Sequence, residues 1–409
     1  MNSEQLFALA LGLQSPWYIK EIDLQQSEGM VGELHIYLDF ERGALFQIEG
    51  QEPCKAYDST DRTWQHLNFF QHKCFLHARA PRVKTNSGKV RTVPVPWARP
   101  GSGFTLLFEA YAMLLIECEM PVSKAGQTMD VYPNRIWNVF NHWIKKAHSK
   151  DSVDDITQIG FDETSTKKGH NYVTVAVDLD QRRVVFATPG KDSSTIASTA
   201  NYLSSKGVEL KDIKQVCIDM SPAFISGIMD SFPEASITFD KFHVFQVVNK
   251  AMDELRKAEA KHTADLKKSK FIFLKNTANL TTIQNIQREQ LMDLYPRLGE
   301  GYRLKTMFKE YWEMEEPEQA GAFLAYWCDL ASESKIQPFM EAAKTIKAHW
   351  SGIINYLKSR LNNGILEGIN SKIQLAKKRA RGYRNIENFI NMVYYICGHL
   401  HYDYPRYSK

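Results

Sequence analysis

The chain has 409 residues, 44% hydrophobic and 24% charged, with a formal net charge of +4. That composition is ordinary for folded protein and excludes wholesale disorder, and the length exceeds one average domain. The apolar runs at 104–116 and 389–400 are broken by polar residues and fall short of about 18 residues, so no membrane span is expected. Six cysteines (Cys54, Cys74, Cys118, Cys217, Cys328, Cys397) lack paired spacing. A disulfide framework is therefore excluded, and a reducing cytoplasm is the expected compartment. The start, MNSEQLFALALGL, has no basic leader before its apolar run, so a signal peptide is not expected.

Read in chain order, GELHIYLDF (32–40) and ALFQIEG (44–50) alternate and predict a hairpin across ERG. Residues 54–96 predict further short strands, and Pro94, Pro96, Pro100, Gly101 and Gly103 then predict a linker. From Phe104 the period is helical: FTLLFEAYAMLLIE, PVSKAGQTM and YPNRIWNVFNHWIKKA predict three helices, the last with Ile136, Val139, Phe140, Trp143 and Ile144 on one face. A short turn before a longer amphipathic helix fits a helix-turn-helix, although other small three-helix units share the pattern. After a polar stretch, ITQIGFDE, NYVTVAVDLD and RRVVFATPG predict an antiparallel trio of strands. A helix (193–205), the strand KQVCIDM, a helix (222–231) and the strand ASITFD follow. The order β-β-β-α-β-α-β is that of a ribonuclease-H-like fold. From Lys241 to about residue 361 the pattern is helical throughout.

Charge is unevenly placed. Between Arg62 and Phe108 there is no Asp or Glu, and the stretch holds Arg62, Lys73, Arg79, Arg82, Lys84, Lys89, Arg91 and Arg99. A second acid-free stretch, 368–386, holds Lys372, Lys377, Lys378, Arg379, Arg381 and Arg384. Together they carry fourteen positive charges in a chain whose net charge is +4. A solvated charged face is the ordinary alternative for either stretch alone. Interleaving with Trp64, Phe69, Phe70, Trp97 and Tyr383 points instead to nucleic acid.

The chemical signal lies in carboxylates at strand ends. Asp162 follows Ile159-Gly160-Phe161, and Asp219 follows Val216-Cys217-Ile218. In a sheet of this order those strands are neighbours, so both carboxylates would emerge at one edge. Like charges so close repel, and a hard divalent cation, Mg²⁺ or Mn²⁺, relieves the repulsion. Two ions about 3.5–4 Å apart would serve an in-line phosphoryl displacement. Glu367, opening a helix that runs into the second basic stretch, is the candidate third ligand. Counting by i+3 and i+4 puts Glu367, Asn370, Lys378 and Arg381 on one helix face. Each Asp taken singly is also compatible with a turn or cap role. Asp240 ends the next strand and competes with Asp219 as a ligand, or lies behind it. Glu163 alternates to the other face. His170 and His243 read as structural or phosphate-contacting groups rather than metal ligands.

The segments IGFDETSTKKGHNYVTVAVDLD, VCIDMSPAF, ITFDKFHV and NGILEGINSKIQLAKKRARGYRN resemble the ISL3 family of bacterial insertion-sequence transposases. RTWQHLNFFQHKCFLHARAPRV and VPWARPGSGFTLLFEA extend the likeness to the amino-terminal half. The resemblance implies a ribonuclease-H-like DDE transposase whose triad is Asp162, Asp219 and Glu367, with an all-helical insertion between the last two. It also implies an amino-terminal zinc-ribbon-like module and a helix-turn-helix that reads terminal inverted repeats. One departure stands out. Tyr57 occupies the place of the cysteine that would partner Cys54, and Lys84 and Ser87 stand near the second ligand pair. Cys74, His66, His72 and His77 are not at zinc-knuckle spacing, so a module held by its core without zinc is expected.

The expected organisation is a basic β-rich module (1–100), a helix-turn-helix (101–150), the first part of the catalytic core (151–260), the helical insertion (261–355), and the last part of the core with its basic helices (356–409). DNA contacts are expected from Arg82, Arg99, Arg135, Lys372, Lys377, Lys378, Arg379, Arg381 and Arg384. Double-stranded DNA, both element ends and target, is the expected partner of a homodimer or larger homo-oligomer near the nucleoid. A domesticated, non-cutting DNA-binding protein and a hydrolysis-only nuclease of the same fold are the rival readings.

Overall fold

A computed structural model describes residues 2–26, 31–48, 52–166, 171–263, 265–359 and 364–405. The chain divides into two compact units, Met1–Ala147 with Tyr402–Lys409, and His148–His401. Among the described residues no helix is long and apolar enough to cross a membrane.

The first unit begins with α1 (Ser3–Ala10) and continues through β1 (Trp17–Gln25), β2 (Glu33–Phe40), β3 (Leu45–Phe46), β4 (Cys54–Lys55), β5 (Asp58–Phe69), β6 (His72–Lys84) and β7 (Val90–Thr92). The main sheet runs β1-β2-β6-β5, with β7 added to β6. The alternation in β2 does bury Leu34, Ile36 and Leu38, but the strand does not form a hairpin with the segment after it. It pairs antiparallel with β1 and parallel with β6, while β3 pairs with β4. After the short β4, residues 58–84 form two long strands rather than several short ones, joined at Phe70 with φ 54°. The Pro/Gly-rich stretch expected to be a linker is packed. Trp97 meets Trp17 at 4.7 Å and Trp64 at 5.6 Å, edge to face, and Val93, Val95 and Ala98 are buried beside it. Apolar side chains at alternate positions fill the sheet's face, although the prolines forbid a regular ladder there.

Three helices complete this unit: α2 (Leu106–Glu117), α3 (Val122–Thr128) and α4 (Pro133–Lys150). Thr105 caps α2 by accepting the Phe108 N–H at 3.2 Å. The turn into α4 is tight. A Cβ on Gly126 would lie 3.0 Å from the Val131 carbonyl oxygen, and Asp130 has φ 51°. The buried face of α4 is Ile136, Val139, Phe140, Trp143, Ile144 and Ala147, as its period predicts. At the centre sits Glu109, fully buried, which accepts from Ser102 Oγ (2.6 Å), Arg99 Nε (2.9 Å) and Trp143 Nε1 (2.8 Å). Three donors, two ahead of α2 and one on α4, satisfy one buried charge.

The second unit holds β8 (Gln158–Ser165), β9 (Tyr172–Asp178), β10 (Arg183–Pro189), α5 (Ser193–Ser205), β11 (Gln215–Ile218), α6 (Pro222–Ser231) and β12 (Ser236–Phe239). The sheet order is β10-β9-β8-β11-β12. The trio β8–β10 is antiparallel, and β11 is parallel to both β8 and β12. A helical tract follows: α7 (Lys241–Glu259), α8 (Lys270–Leu274), α9 (Thr282–Leu294), α10 (Pro296–Glu310), α11 (Pro317–Glu333), α12 (Gln337–Ala348) and α13 (Trp350–Ser359). The chain then returns to the sheet through α14 (Gly364–Arg379) and α15 (Ile386–Cys397). Alternation in β8 serves both faces. Phe161 packs with Phe224 and Phe232 of the α6 region, whereas Gly160 turns to α14. A Cβ on Gly160 would lie 3.0 Å from the side-chain ends of Leu366 and Leu179, so a larger residue would press on the α14 contact.

Replacing Glu109 with Ala is expected to strand the Arg99 guanidinium and the Trp143 N–H inside the first unit. Loss of one partner of a buried ion pair costs about 3–5 kcal/mol. Urea unfolding followed by tryptophan fluorescence should register that loss, and an unchanged midpoint would mean the pair carries little stability.

Candidate active site

The β8–β11 ladder fixes the first two acids. Cys217 is level with Gly160 in the parallel pairing, so two residues on, Asp219 falls level with Asp162. Adjacent strands lie about 4.8 Å apart, which keeps such groups near one another. The next strand adds a third acid: Ile218 pairs with Phe239, so Asp240 follows one step later beside Asp219. Contrary to the expectation from sequence, Asp162 does not end its strand; β8 continues to Ser165 because β9 still pairs with it there.

Both oxygens of Asp162 are oriented. Oδ1 accepts the Glu163 N–H at 2.7 Å, and Oδ2 accepts from Asn370 Nδ2 on α14. Burial pushes the Asp162 carboxyl up to about 6, helped by the charge of Asp240 and opposed by the Glu163 N–H, His243 and Asn370. Asp219 Oδ1 accepts the Ser221 N–H at 2.9 Å, just before α6. Asp240 caps α7 through the Phe242 N–H at 2.6 Å and lies 3.6 Å from His243 Nε2. Glu163, expected on the opposite face, is within electrostatic reach of the site. Burial raises its carboxyl, Lys191 opposes the shift, and the charge of Asp219 adds to it.

Glu367 stands in the first turn of α14, exposed, and shares a cavity wall with Asp240. Among the described residues, no three of His, Cys, Asp and Glu gather closely enough to hold a metal ion. The donor chemistry of the row still suits a hard divalent cation: hard oxygen ligands, one of them raised by burial and by a like charge. His170 lies outside the described residues.

The α14 face against β8 is Leu366, Asn370, Gln374 and Lys377, reaching Gly160, Asp162, Thr164 and Ser165 in turn. Lys377 donates to the Ser165 carbonyl at 2.8 Å, so its charge serves the helix–strand contact. Arg381 lies past the end of α14 with φ 57°, followed by Gly382 at φ 87°, and so is not on the helix face that spacing predicts. Lys372, Lys378 and Arg384 are exposed and make no ion pair among the described residues, and Arg379 and Arg381 are exposed beside them.

In the first unit, acids from outside the acid-free stretch neutralise part of it. Arg79 pairs with Asp39 at 3.0 Å, Arg82 with Asp58, Arg99 with Glu109 at 2.9 Å, and Lys73 with Asp130 at 2.6 Å. Arg82 and Arg99 are therefore engaged within the protein. Lys84, Lys89 and Arg91, around the β6–β7 turn, are exposed without an acidic partner among the described residues. Sequence reasoning counted them but did not single them out, because only the fold reveals which cations the distant acids consume. Arg135 is exposed at the start of α4, its guanidinium 4.0 Å from the Phe104 ring centroid. Of the candidate zinc substitutes, His66 stands opposite Cys74 in the β5–β6 ladder, and each has surroundings of its own. Cys74 is buried, its thiol pushed up to about 12, His66 bonds Thr105 at 2.8 Å, His72 accepts the Gly32 N–H at 3.0 Å, and His77 lies 2.9 Å from His35.

Residues 159–393 match a transposase family model, from β8 into α15, a span that includes Asp162, Glu163, Asp219, Asp240 and Glu367. The chain belongs to the transposase family ISL3. Residues 93–144 match the helix-turn-helix domain of that family, so the domain takes in the buried stretch from Val93 together with α2, α3 and most of α4. The transposase for insertion sequence element IS1557 of Mycobacterium tuberculosis is 28% identical over 443 residues, covering 98% of this chain and 97% of that protein. The transposase for insertion sequence element IS1001 of Bordetella parapertussis is 31% identical over 353 residues, covering 82% and 84% respectively.

A raised carboxyl has a thermodynamic signature. Between about pH 4 and about pH 6 the folded protein keeps a proton on Asp162 that the unfolded chain has lost, so stability falls as pH rises through that window. Asp162→Asn should therefore raise Tm at pH 7.5 by about 2–4 °C, for about 1 kcal/mol after discounting for partial exposure, with the gain vanishing by pH 4. Calorimetry on both proteins across that range checks it; a gain independent of pH would assign the effect elsewhere.

Proposed function

We propose that this ISL3-family transposase cuts DNA at the terminal inverted repeats of an insertion sequence and joins the freed end to target DNA, with Asp162, Asp219 and Glu367 as its acidic triad. The observation that carries the reading is the parallel β8–β11 register, which brings Asp162 level with Asp219 next to a helix bearing Glu367, Lys372 and Lys378. The sheet order, three antiparallel strands then two parallel ones, supports a ribonuclease-H-like core. On this reading the core comprises 151–260 and 356–409, the helical insertion 261–355, and the amino-terminal part a metal-free β-rich module (1–100) with a helix-turn-helix (101–150).

Phosphoryl transfer of this kind is mostly positioning and neutralisation of charge. A bound Mg²⁺ or Mn²⁺ supplies positive charge beside the scissile phosphate and lowers the cost of deprotonating the attacking water or 3′-hydroxyl. Asp162 and Asp219 provide oxygen donors for it, and Glu367 the third. Asn370 and the Glu163 N–H fix the Asp162 carboxylate, so that it does not reorganise when substrate arrives. Asp240, beside Asp219, and His243 support the two ligating aspartates rather than serving as the third ligand. Lys372, Lys378, Arg379, Arg381 and Arg384 hold the phosphate backbone near the acids. Arg135 at the start of α4, and Lys84, Lys89 and Arg91 on the β6–β7 turn, hold the terminal repeat. Work on paired ends implies a homodimer or larger assembly.

Each of Asp162→Ala, Asp219→Ala and Glu367→Ala is expected to lower Mg²⁺-dependent nicking of end-bearing DNA by about 10³-fold or more, while end binding stays within about twofold. Nick mapping with Mg²⁺ against EDTA reads this out. Full activity in Asp219→Ala together with a dead Asp240→Ala would move the second ligand to Asp240. Transfer of a pre-cleaved end into plasmid separates a transposase from a nuclease that only hydrolyses.

Removing one backbone-holding cation, Lys372→Ala or Lys89→Ala, should weaken binding to all sequences alike. It should also reduce the slope of log K against log salt by about 1. Titrations at several salt concentrations measure it; an unchanged slope removes that residue from the interface.

A further inference from the structure

The β5–β6 hairpin of the first unit turns over through Asn68-Phe69-Phe70-Gln71, a tip with no charged residue. Phe70 is 83% exposed and has φ 54°, a left-handed backbone that suits glycine or asparagine and is uncommon for a bulky aromatic. Tight hairpins ordinarily place Asn-Gly at such a turn. A solvated phenylalanine in a strained conformation does nothing for the fold, and outliers of this kind cluster where a protein grips a ligand. The ring is also supported from behind. Phe69 meets it edge to face at 4.7 Å, and Phe7 of α1 backs Phe69 at 5.2 Å. The tip is therefore a braced apolar wedge.

The hairpin is fastened to the helix-turn-helix at two levels. On β5, the Gln65 N–H donates to the Gly103 carbonyl at 2.9 Å, and the Gln65 carbonyl accepts the Thr105 N–H at 3.1 Å. His66 Nδ1 lies 2.8 Å from Thr105 Oγ1 beside them. Nearer the tip, Lys73 on β6 reaches Asp130, in the turn before α4, at 2.6 Å. In this motif the helix after that turn enters the DNA groove. An acid there would repel phosphate, and Lys73 neutralises it. Phe70 stands three residues from Lys73, at most roughly 10 Å along the chain. Tyr132, also 83% exposed, stands two residues past Asp130. The wedge is thus tied to the entrance of the DNA-reading helix.

We propose that the β5–β6 hairpin is a wing of the helix-turn-helix, and that Phe70 enters the minor groove beside the stretch read by α4 and wedges a base step open. The inference rests on the end-binding half of the reading above, not on cleavage. An uncharged apolar tip offers nothing to phosphates but suits the faces of stacked bases, and wedges of this type bend DNA by about 20–90°. The bend adds selectivity, because flexible steps such as TA open more readily than stiff ones.

The test uses the full chain without divalent cation, so that no strand is cut, on end-bearing duplexes with a fluorescent donor and acceptor at their two ends. Wild type should shorten the end-to-end distance. Phe70→Gly should remove most of that change and weaken end binding about tenfold. The slope of log K against log salt should stay as in wild type, since no phosphate contact is lost. Glycine suits φ 54°, so Tm should be unchanged or raised, which separates a lost contact from a lost fold. Phe70→Leu, still apolar, should retain most of the bend. If Phe70→Gly binds and bends end-bearing DNA like wild type, the wing is overturned and end binding stands. If wild type holds end-bearing and unrelated duplexes equally and bends neither, the end-binding reading and the wing fail together. Loss of a dimer in light scattering of Phe70→Gly, with DNA bending unchanged, would assign the tip to a contact between two copies and overturn the proposal.

Discussion

The parallel pairing of β8 with β11 is the constraint from which the chemistry of the carboxyl-terminal unit follows. A ladder of three residue pairs aligns Gln158–Gly160 with Gln215–Cys217, and everything beyond it inherits that register. A slip by one residue would turn Asp219 to the other face and separate it from Asp162. The same strand carries Gly160, whose missing side chain admits Leu366 and so brings Asn370 onto the Asp162 carboxylate. Sheet register and helix approach are thus set by neighbouring residues of one strand, and the site is assembled where the two meet.

Charge in the amino-terminal unit is organised differently along the chain and in space. A stretch without acids looks like one uniform cationic surface. Folding brings Asp39, Asp58, Glu109 and Asp130 against four of its cations. What remains outward is narrower, centred on the β6–β7 turn. Affinity for a polyanion depends on the cations that can reach its phosphates and displace its condensed counterions, not on the total in the sequence, so the smaller set is the relevant one.

Much of the carboxyl-terminal unit was legible because its signals are local. Buried strands such as YVTVAVD, the capping Asp192 before α5 and Pro222 at the start of α6 each announce their element within a few residues. The α4 face was legible for the same reason. The pairing of β2 was not, since its alternation fits β1, β6 or a hairpin equally, and long-range packing decides. Trp97 was misjudged because prolines and glycines dominate its neighbourhood, while burial against Trp17 and Trp64 depends on residues far away in sequence. Arg381 failed for a geometric reason: the helix stops at Arg379, so counting by turns has no meaning beyond it. The cavity beside Glu367 had no sequence signal at all, because its walls come from segments scattered between Asp240 and Glu367.

The buried carboxylate of Glu109 bears on how this protein can be dissected. Its donors come from Arg99 and Ser102 ahead of α2 and from Trp143 on α4. A fragment begun at residue 101, the natural choice from the proline and glycine pattern, would keep the acid and discard the guanidinium. Such a piece would keep the Ser102 and Trp143 donors but leave the buried carboxylate without its counter-charge, and would be less stable. One begun ahead of Val93 would retain the counter-charge and stands the better chance of behaving as an autonomous DNA-reading module.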